Sequence, residues 1–369
     1  MRPLYEKLTL FLAQKSFPLL LVFLIAGVGV AMQYSAGGGC WAPRAESHAL
    51  RFAFCLVLLL VVALTDQRFW YIWAYWFYVG MFALLALVEL WGLAGMGAKR
   101  WIDLYVIQLQ PSELMKVALV LALCRYYGGL TEQEARAPGS HLIPLGMIFL
   151  PTLLILKQPD LGSAMILAGA GLGTVFLAGF SVAKMAGAGF LALCCSPIIW
   201  SSLHAYQKKR LLVFLRPDQD PLGAGYHLLQ SKIALGSAGF LGKGFLKGTQ
   251  SHLNFLPEKH TDFIFTMLCE ELGFCGGLLL LLLYSVLLLV GYEISRSARG
   301  YFGRLLGNGM LFLLFLHIAI NIGMVMGVLP VVGVPLPLVS YGGSSMLATM
   351  ILLGFLLNVA HHSTLRLGT

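Results

Sequence analysis

Ten stretches of this 369-residue chain are each apolar over about the 20 residues that a helix needs to cross a bilayer. They are centred near residues 25, 57, 80, 121, 149, 170, 192, 277, 316 and 353. A buried core helix of a large soluble protein accounts for one or two such runs, but not for ten in succession. The charge content agrees: Asp, Glu, Lys and Arg make up 11% of the chain, against roughly 25% in soluble domains. Mean hydropathy is +0.82. The sequence therefore predicts an all-α fold, a polytopic transmembrane helical bundle of about ten helices.

Lys and Arg in the short loops set the orientation. The basic start, MRPLYEKLTLFLAQKSF, leads into an apolar run that reaches Met32, longer than the core of a cleavable signal, so a retained first span is expected. With the N-terminus inside, the inner loops hold Arg2, Lys7, Lys15, Arg68, Arg125, Arg136, Lys184, Arg296, Arg299, Arg304 and Arg366. The short outer loops hold Arg44, Arg51, Lys99, Arg100 and Lys157. An even number of spans returns the C-terminus to the cytoplasm. The whole chain, 1–369, then forms a single membrane domain with one large extracytoplasmic loop at about 203–261, around which much of the +9 net charge gathers.

Other classes find no support. Six of the seven cysteines (Cys55, Cys124, Cys194, Cys195, Cys269 and Cys275) lie in apolar runs and Cys40 in an outer loop, with no CxxC pair to indicate a disulfide framework or a zinc site. There is no P-loop, no GxGxxG behind a strand and no HExxH, and nothing indicates nucleic-acid binding. The large loop does carry a signal. Its stretch GSAGFLGKGFLKGTQ has glycines at 236, 239, 242, 244 and 248, a density that permits tight turns and close approach to a ligand.

Charge inside a span costs on the order of 2.5–3.5 kcal/mol per residue, so polar groups at span ends and within spans mark candidate sites. They collect at the outer ends: Arg100 with Trp101-Ile102-Asp103, Gln110-Pro111-Ser112-Glu113 with Lys116 one turn on, and Lys157-Gln158-Pro159-Asp160. Glu258-Lys259-His260-Thr261-Asp262 and Ser340-Tyr341-Gly342-Gly343-Ser344-Ser345 complete the set. Each also has a structural explanation. Ser112 and Asp160 suit helix caps, Glu113 and Lys116 suit an i,i+3 ion pair, and Thr261 suits the cap of the eighth span with Asp262 in its first turn. Glu270 suits a buried partner for a basic residue on a neighbouring helix.

The segments WIDL…QPSELMK, KQPDLGSA, FLRPDQDPLGAGYHLLQSKIALGSAGFLGKG, GTQSHLNFLPEKHTDFIF and PLVSYGGSS, in this order, closely resemble the SEDS family of shape, elongation, division and sporulation proteins. The wording of the fourth segment is nearer to the elongation branch than to the division branch. The departures are small: Ala238 stands where glycine is usual and Asn254 where an acidic residue is common.

This resemblance implies a peptidoglycan glycosyltransferase that polymerises lipid II at the outer face of the bacterial cytoplasmic (inner) membrane. Its partners would be a class B penicillin-binding protein and other elongation-complex proteins. The family's essential aspartate falls on Asp262, as general base for the acceptor hydroxyl. Arg100, Lys116, Lys157 and Arg210 are the candidates for the phosphates, with a divalent cation (Mg or Mn) as a candidate to share that task. Glu113, Gln158, Glu258, Lys259, His260 and Ser340 are expected to line the substrate site; no side chains are assigned as metal ligands.

Two rivals differ in class. A lipid II flippase would place polar residues near the midplane, on broken helices in two related halves, and His317 and Asn321 in the ninth span serve it best. A non-catalytic scaffold activating the penicillin-binding protein would need no acid beside basic residues.

Overall fold

A computed structural model describes residues 4–91, 93–95, 98–103, 108–181 and 223–364, without 254 and 257 and with scattered positions between 182 and 222. In chain order its elements are α1 (Leu4–Ala36), α2 (Glu46–Leu64), α3 (Gln67–Trp91), β1 (Leu93–Gly95), β2 (Ala98–Asp103), β3 (Gln108–Leu109), α4 (Pro111–Gly128), α5 (Glu132–Arg136), α6 (Leu142–Lys157), α7 (Leu161–Leu177), α8 (Ala224–Ser237), α9 (Thr249–His252), α10 (Ile264–Arg296), α11 (Tyr301–Val325) and α12 (Gly343–Thr364).

Nine of the ten apolar runs are helical, and the run near 192 lies outside the described residues. Among the described residues seven helices are long and apolar enough to cross a membrane. The other two are α7, with 17 residues, and α4, which carries Glu113, Lys116 and Arg125. The chain is a multi-pass membrane protein.

Helix α4 is the axis of the bundle. Every residue from Pro111 to Cys124 is buried, because α3, α6, α7, α11 and α12 all pack against it. It tolerates Glu113 and Lys116 because these face protein, not lipid. The outer helices bear the lipid face: α3 exposes Phe69, Ile72, Trp73, Trp76 and Val79, and α2 exposes Phe54, Val57 and Val61. In hydrocarbon such exposure carries no penalty, since lipid tails are as apolar as the side chains.

Two local features were not visible in the hydrophobic pattern. Between α3 and α4 the chain forms a small antiparallel sheet in the order β1-β2-β3, pairing Gly95 with Ala98 and Ile102 with Leu109. The second feature is a break in α10 at Gly273, whose φ of 70° and ψ of −166° are not helical. A broken helix leaves carbonyls and amides unpaired at both new ends, and the glycine-rich loop supplies their partners. Lys243 and Gly244 donate their N–H groups to the Glu270 and Glu271 carbonyls, each at 3.0 Å. Phe274 and Cys275 donate to the Gly239 and Phe240 carbonyls at 3.0 and 3.1 Å. Gly242, at φ +79°, lies directly against the Glu271 carbonyl, so a Cβ there would collide with it. At Gly242 the close approach that glycine permits is to the broken helix.

Candidate functional site at the outer ends of the helices

The turn Glu258–Phe263 brings Asp262 into place. The N–H groups of Thr261 and Phe263 both donate to the Glu258 carbonyl at 3.2 Å. Thr261 does not cap α10: the N-cap is Phe263, and the Thr261 hydroxyl instead donates to Glu258 Oε2 at 3.0 Å. Asp262 therefore precedes the helix, still close enough for its N-terminal dipole to favour a carboxylate.

Three other parts of the bundle pin the backbone of this turn. From α1, Gln33 Nε2 donates to the His260 carbonyl at 3.0 Å, and the Tyr341 N–H donates to the same oxygen at 2.9 Å. Ser340 Oγ donates to the Thr261 carbonyl at 2.6 Å while accepting the Leu336 N–H at 2.7 Å. From α11, Asn321 Nδ2 donates to the Asp262 carbonyl at 3.0 Å and to the Val334 carbonyl at 2.6 Å. The half-buried Asp262 carboxylate faces Gly333, whose Cβ, were it present, would stand 3.3 Å from Oδ2. A larger residue at 333 would crowd the acid.

The surroundings of the turn are basic. Lys259 donates to the Ser251 carbonyl at 2.6 Å, and burial first, then the nearby Arg44 charge, holds its ammonium pKa below the ordinary value, against an opposing pull from Glu271. Burial and Arg44 likewise lower the His260 imidazole pKa, which favours the neutral ring. Arg51 lies over the Tyr341 ring at 4.4 Å, and that ring's other neighbour is His260, 6.2 Å between centroids. By loop charge alone, Arg44 and Arg51 are only outer-loop charges. Their order along the chain was visible, but the aromatic face and the turn they meet come from residues some 200–300 positions away, which loop charge counting cannot see.

A second group joins α4 to α11. Lys116 donates to Glu113 Oε1 at 2.7 Å and to His317 Nε2 at 2.9 Å, with all three side chains buried. The i,i+3 ion pair exists, but inside the bundle.

A third group ties β2, α4, α7 and α12 together. Asp160 caps α7 by accepting the Ser163 N–H at 3.1 Å and also accepts from Gln110 Nε2 at 3.1 Å. The Gln110 N–H donates to Ser344 Oγ at 2.9 Å. Ser112 is buried in the first turn of α4 and is not the cap, which is Gln110. Arg100 Nε donates to the Gln158 carbonyl at 3.0 Å and Nη2 to the Pro159 carbonyl. Gln158 Nε2 donates to the Leu85 carbonyl at 2.8 Å. These contacts make Arg100 and Gln158 braces of the α6–α7 turn. Lys157 is exposed at the end of α6, and Arg210 lies outside the described residues.

Glu270, expected to meet a base on a neighbouring helix, meets the loop instead. It accepts from Lys243 Nζ at 2.9 Å, Thr249 Oγ1 at 3.2 Å, the Gln250 and Ser251 N–H groups at 2.8 and 3.1 Å, and Ser251 Oγ at 2.5 Å. Glu271 accepts from Ser35 Oγ at 2.5 Å and pairs with His252 Nε2 at 2.9 Å.

Residues 8–365 match the model of the cell cycle protein family FtsW/RodA/SpoVE. The chain belongs to the FtsW/RodA/SpoVE family. Every candidate position lies within the matched span. The peptidoglycan glycosyltransferase MrdB of Escherichia coli is 43% identical over 346 residues, 93% of each chain. Stage V sporulation protein E of Bacillus subtilis is 34% identical over 355 residues, covering 93% of this chain and 96% of that one. A chain of a peptidoglycan synthase complex, solved to show how polymerisation and crosslinking are coordinated, superposes with a TM-score of 0.84 at 31% identity, over 96% of this chain and all of that one. The crystal structure of the rod shape determining protein RodA of Thermus thermophilus gives 0.70 at 28% identity, over 96% and 99%.

For a FtsW/RodA/SpoVE protein the arrangement has a chemical sense. Glu258, Lys259, His260 and Asp262 share one turn, which Ser340 and other long-range hydrogen bonds hold, with Arg44 and Arg51 beside it. The two features that a transporter would share have structural partners: the broken helix is closed by loop backbone, His317 meets Lys116 of α4, and Asn321 holds the carbonyls of Asp262 and Val334. An apolar groove of about 450 Å³ between α6 and α7, lined by Leu145, Ile148, Phe149, Thr152 and Ala168, opens on the lipid side.

Proposed function

We infer that the chain is a peptidoglycan glycosyltransferase of cell elongation, and we propose that it polymerises lipid II with Asp262 as general base. The observation that carries the assignment of Asp262 is the clamped turn: four hydrogen bonds from α1, α11 and the 336–341 loop fix the backbone from His260 to Asp262, leaving a half-buried carboxylate amid basic residues. A group so positioned can take a proton from a hydroxyl held within hydrogen-bond reach.

In the proposed step the acceptor 4-hydroxyl oxygen attacks the anomeric carbon of the growing strand's terminal sugar. Its proton passes to Asp262 as the bond to the phosphate oxygen breaks, and undecaprenyl pyrophosphate departs with the electron pair, inverting the centre. Lys116, Lys157 and Arg210 serve the phosphates, joined by Arg44 ahead of α2 and Arg51 in the second turn of α2. Arg100 acts through the α6–α7 turn it braces. A divalent cation, magnesium or manganese, would share with these side chains the task of neutralising the pyrophosphate charge. The α6–α7 groove is of a kind that can take a lipid tail.

The partner in this reading is a class B penicillin-binding protein, supported by the likeness to a chain of a complex that coordinates polymerisation with crosslinking; the membrane is the cytoplasmic one, with both termini inside. Cysteines placed at Gln250 and Glu134 in a cysteine-free background test the orientation. An impermeant thiol reagent should label the first and spare the second in intact cells, and the reverse inverts the topology. Purified protein with its partner, transpeptidase blocked, should turn labelled lipid II into glycan; lipid II left intact overturns the polymerase reading.

A further inference from the structure

Lys116 is 1% exposed, and a buried ammonium must be hydrogen-bonded on every side to be tolerated. Glu113 Oε1 takes one of its three protons and His317 Nε2 a second. The ring can accept because its other nitrogen, Nδ1, faces the Leu313 carbonyl at 2.9 Å. A carbonyl only accepts, so the imidazole proton sits on Nδ1 and Nε2 offers a lone pair. The second oxygen of Glu113, Oε2, is buried, lacks a hydrogen-bond partner among the described residues and lies 3.9 Å from His317 Nε2.

That unpartnered oxygen decides what His317 does. Left to itself, a lysine ammonium on its flexible four-carbon stem would settle between both oxygens of the carboxylate. His317 draws it to one side. Four residues along α11, on the same face and about 6 Å away by helix rise, Asn321 holds the Asp262 carbonyl. One face of one helix therefore holds both the ammonium and the turn that carries the acid.

We propose that His317 is a positioning residue for glycosyl transfer. It holds the Lys116 ammonium in place on the α11 face that also clamps the Asp262 turn, the position from which Lys116 acts in the reaction proposed above. The inference rests on the polymerase reading above. Removing the ring leaves the Glu113–Lys116 pair intact, so the fold keeps its buried ion pair while the ammonium moves.

The test compares His317→Leu and His317→Gln in the partnered protein with labelled lipid II, alongside thermal unfolding. A displacement near 1 Å costs about 10²-fold when the moved group acts on the reaction. His317→Leu should therefore lower kcat/KM by about 10–100-fold, with both a raised KM and a lowered kcat, at an unfolding temperature close to wild type. His317→Gln, whose amide oxygen can accept the same ammonium proton, should recover most of the loss. The proposal is overturned by wild-type kinetics in the Leu variant, by equal deficits in Leu and Gln, or by a deficit that follows a drop in unfolding temperature. If the wild-type protein itself makes no glycan, it is the polymerase reading that fails, and this inference falls with it.

Discussion

Asp262 and Glu270 are eight residues apart and both acidic, yet the bundle treats them in opposite ways. Around Glu270 the side chain is the point of attachment: five donors from the 243–251 segment surround a fully buried carboxylate. Around Asp262 it is the backbone that is gripped, by Ser340, Asn321, Gln33 and Tyr341, while the carboxylate is half-buried against a glycine. A carboxylate saturated by donors stabilises ionised oxygen so well that it has little basicity to offer; it serves as a clamp for a loop. One aimed by its main chain, and only half-buried, is the one we propose acts on a substrate hydroxyl.

The contrast breaks first at Asp262→Asn, which retains shape and removes charge and basicity. Polymerisation should fall about 10²–10⁴-fold, with the unfolding temperature nearly unchanged, since a lost helix-dipole contact is worth about 0.3–1 kcal/mol. A folded variant polymerising at the wild-type rate removes Asp262 from the chemistry.

Glu270→Gln should do the reverse. Its new amide N–H₂ would face the Ser251 N–H and hydroxyl, stranding buried donors at about 1–3 kcal/mol each. We expect a clear drop in unfolding temperature while the molecules that remain folded retain their turnover. An undiminished unfolding temperature with lost turnover would place Glu270, too, in the reaction.

Gly242→Ala sharpens the same point from the loop side. Alanine in a left-handed conformation costs about 1–3 kcal/mol and would also meet the Glu271 carbonyl. Limited proteolysis should then cut the 239–252 segment faster than in wild type; equal cutting rates would mean that the loop does not depend on the seal at Gly273.

The smallest effect concerns pH. Burial holds the folded His260 pKa below the usual value of about 6.5. Protonation therefore favours the unfolded chain, and stability is lost as pH falls below about 6.5, with no change from this group above it. Between pH 7.5 and 5.5 the unfolding temperature should decline less in His260→Gln than in wild type. Identical declines would assign the acid sensitivity to other groups.

Much of this molecule was legible in one dimension. Nine helices stand where apolar runs were read, because in a bilayer a run of about 20 apolar residues has few alternatives. The Glu113–Lys116 pair followed from a spacing of three residues, which helical geometry converts directly into contact, and the Asp160 cap from a capping residue type just after Pro159. Thr261 and Ser112 show the limit. Thr261 lies two residues ahead of the Phe263 N-cap and turns back to Glu258, while Ser112 lies inside the first turn of α4, whose cap is Gln110.

Order, span count and the crowding of polar residues at span ends were thus settled by local physics: hydrophobic length, helix period and the cost of charge in hydrocarbon. Which carboxylate clamps a loop and which has its backbone gripped instead was settled by contacts spanning tens of positions, such as Asn321 to Asp262 and Lys243 to Glu270. So was the break at Gly273, since its freed backbone groups are satisfied only by a loop some 30 residues earlier. A buried hydrogen bond forms wherever packing brings donor to acceptor, and only the folded bundle specifies where that is.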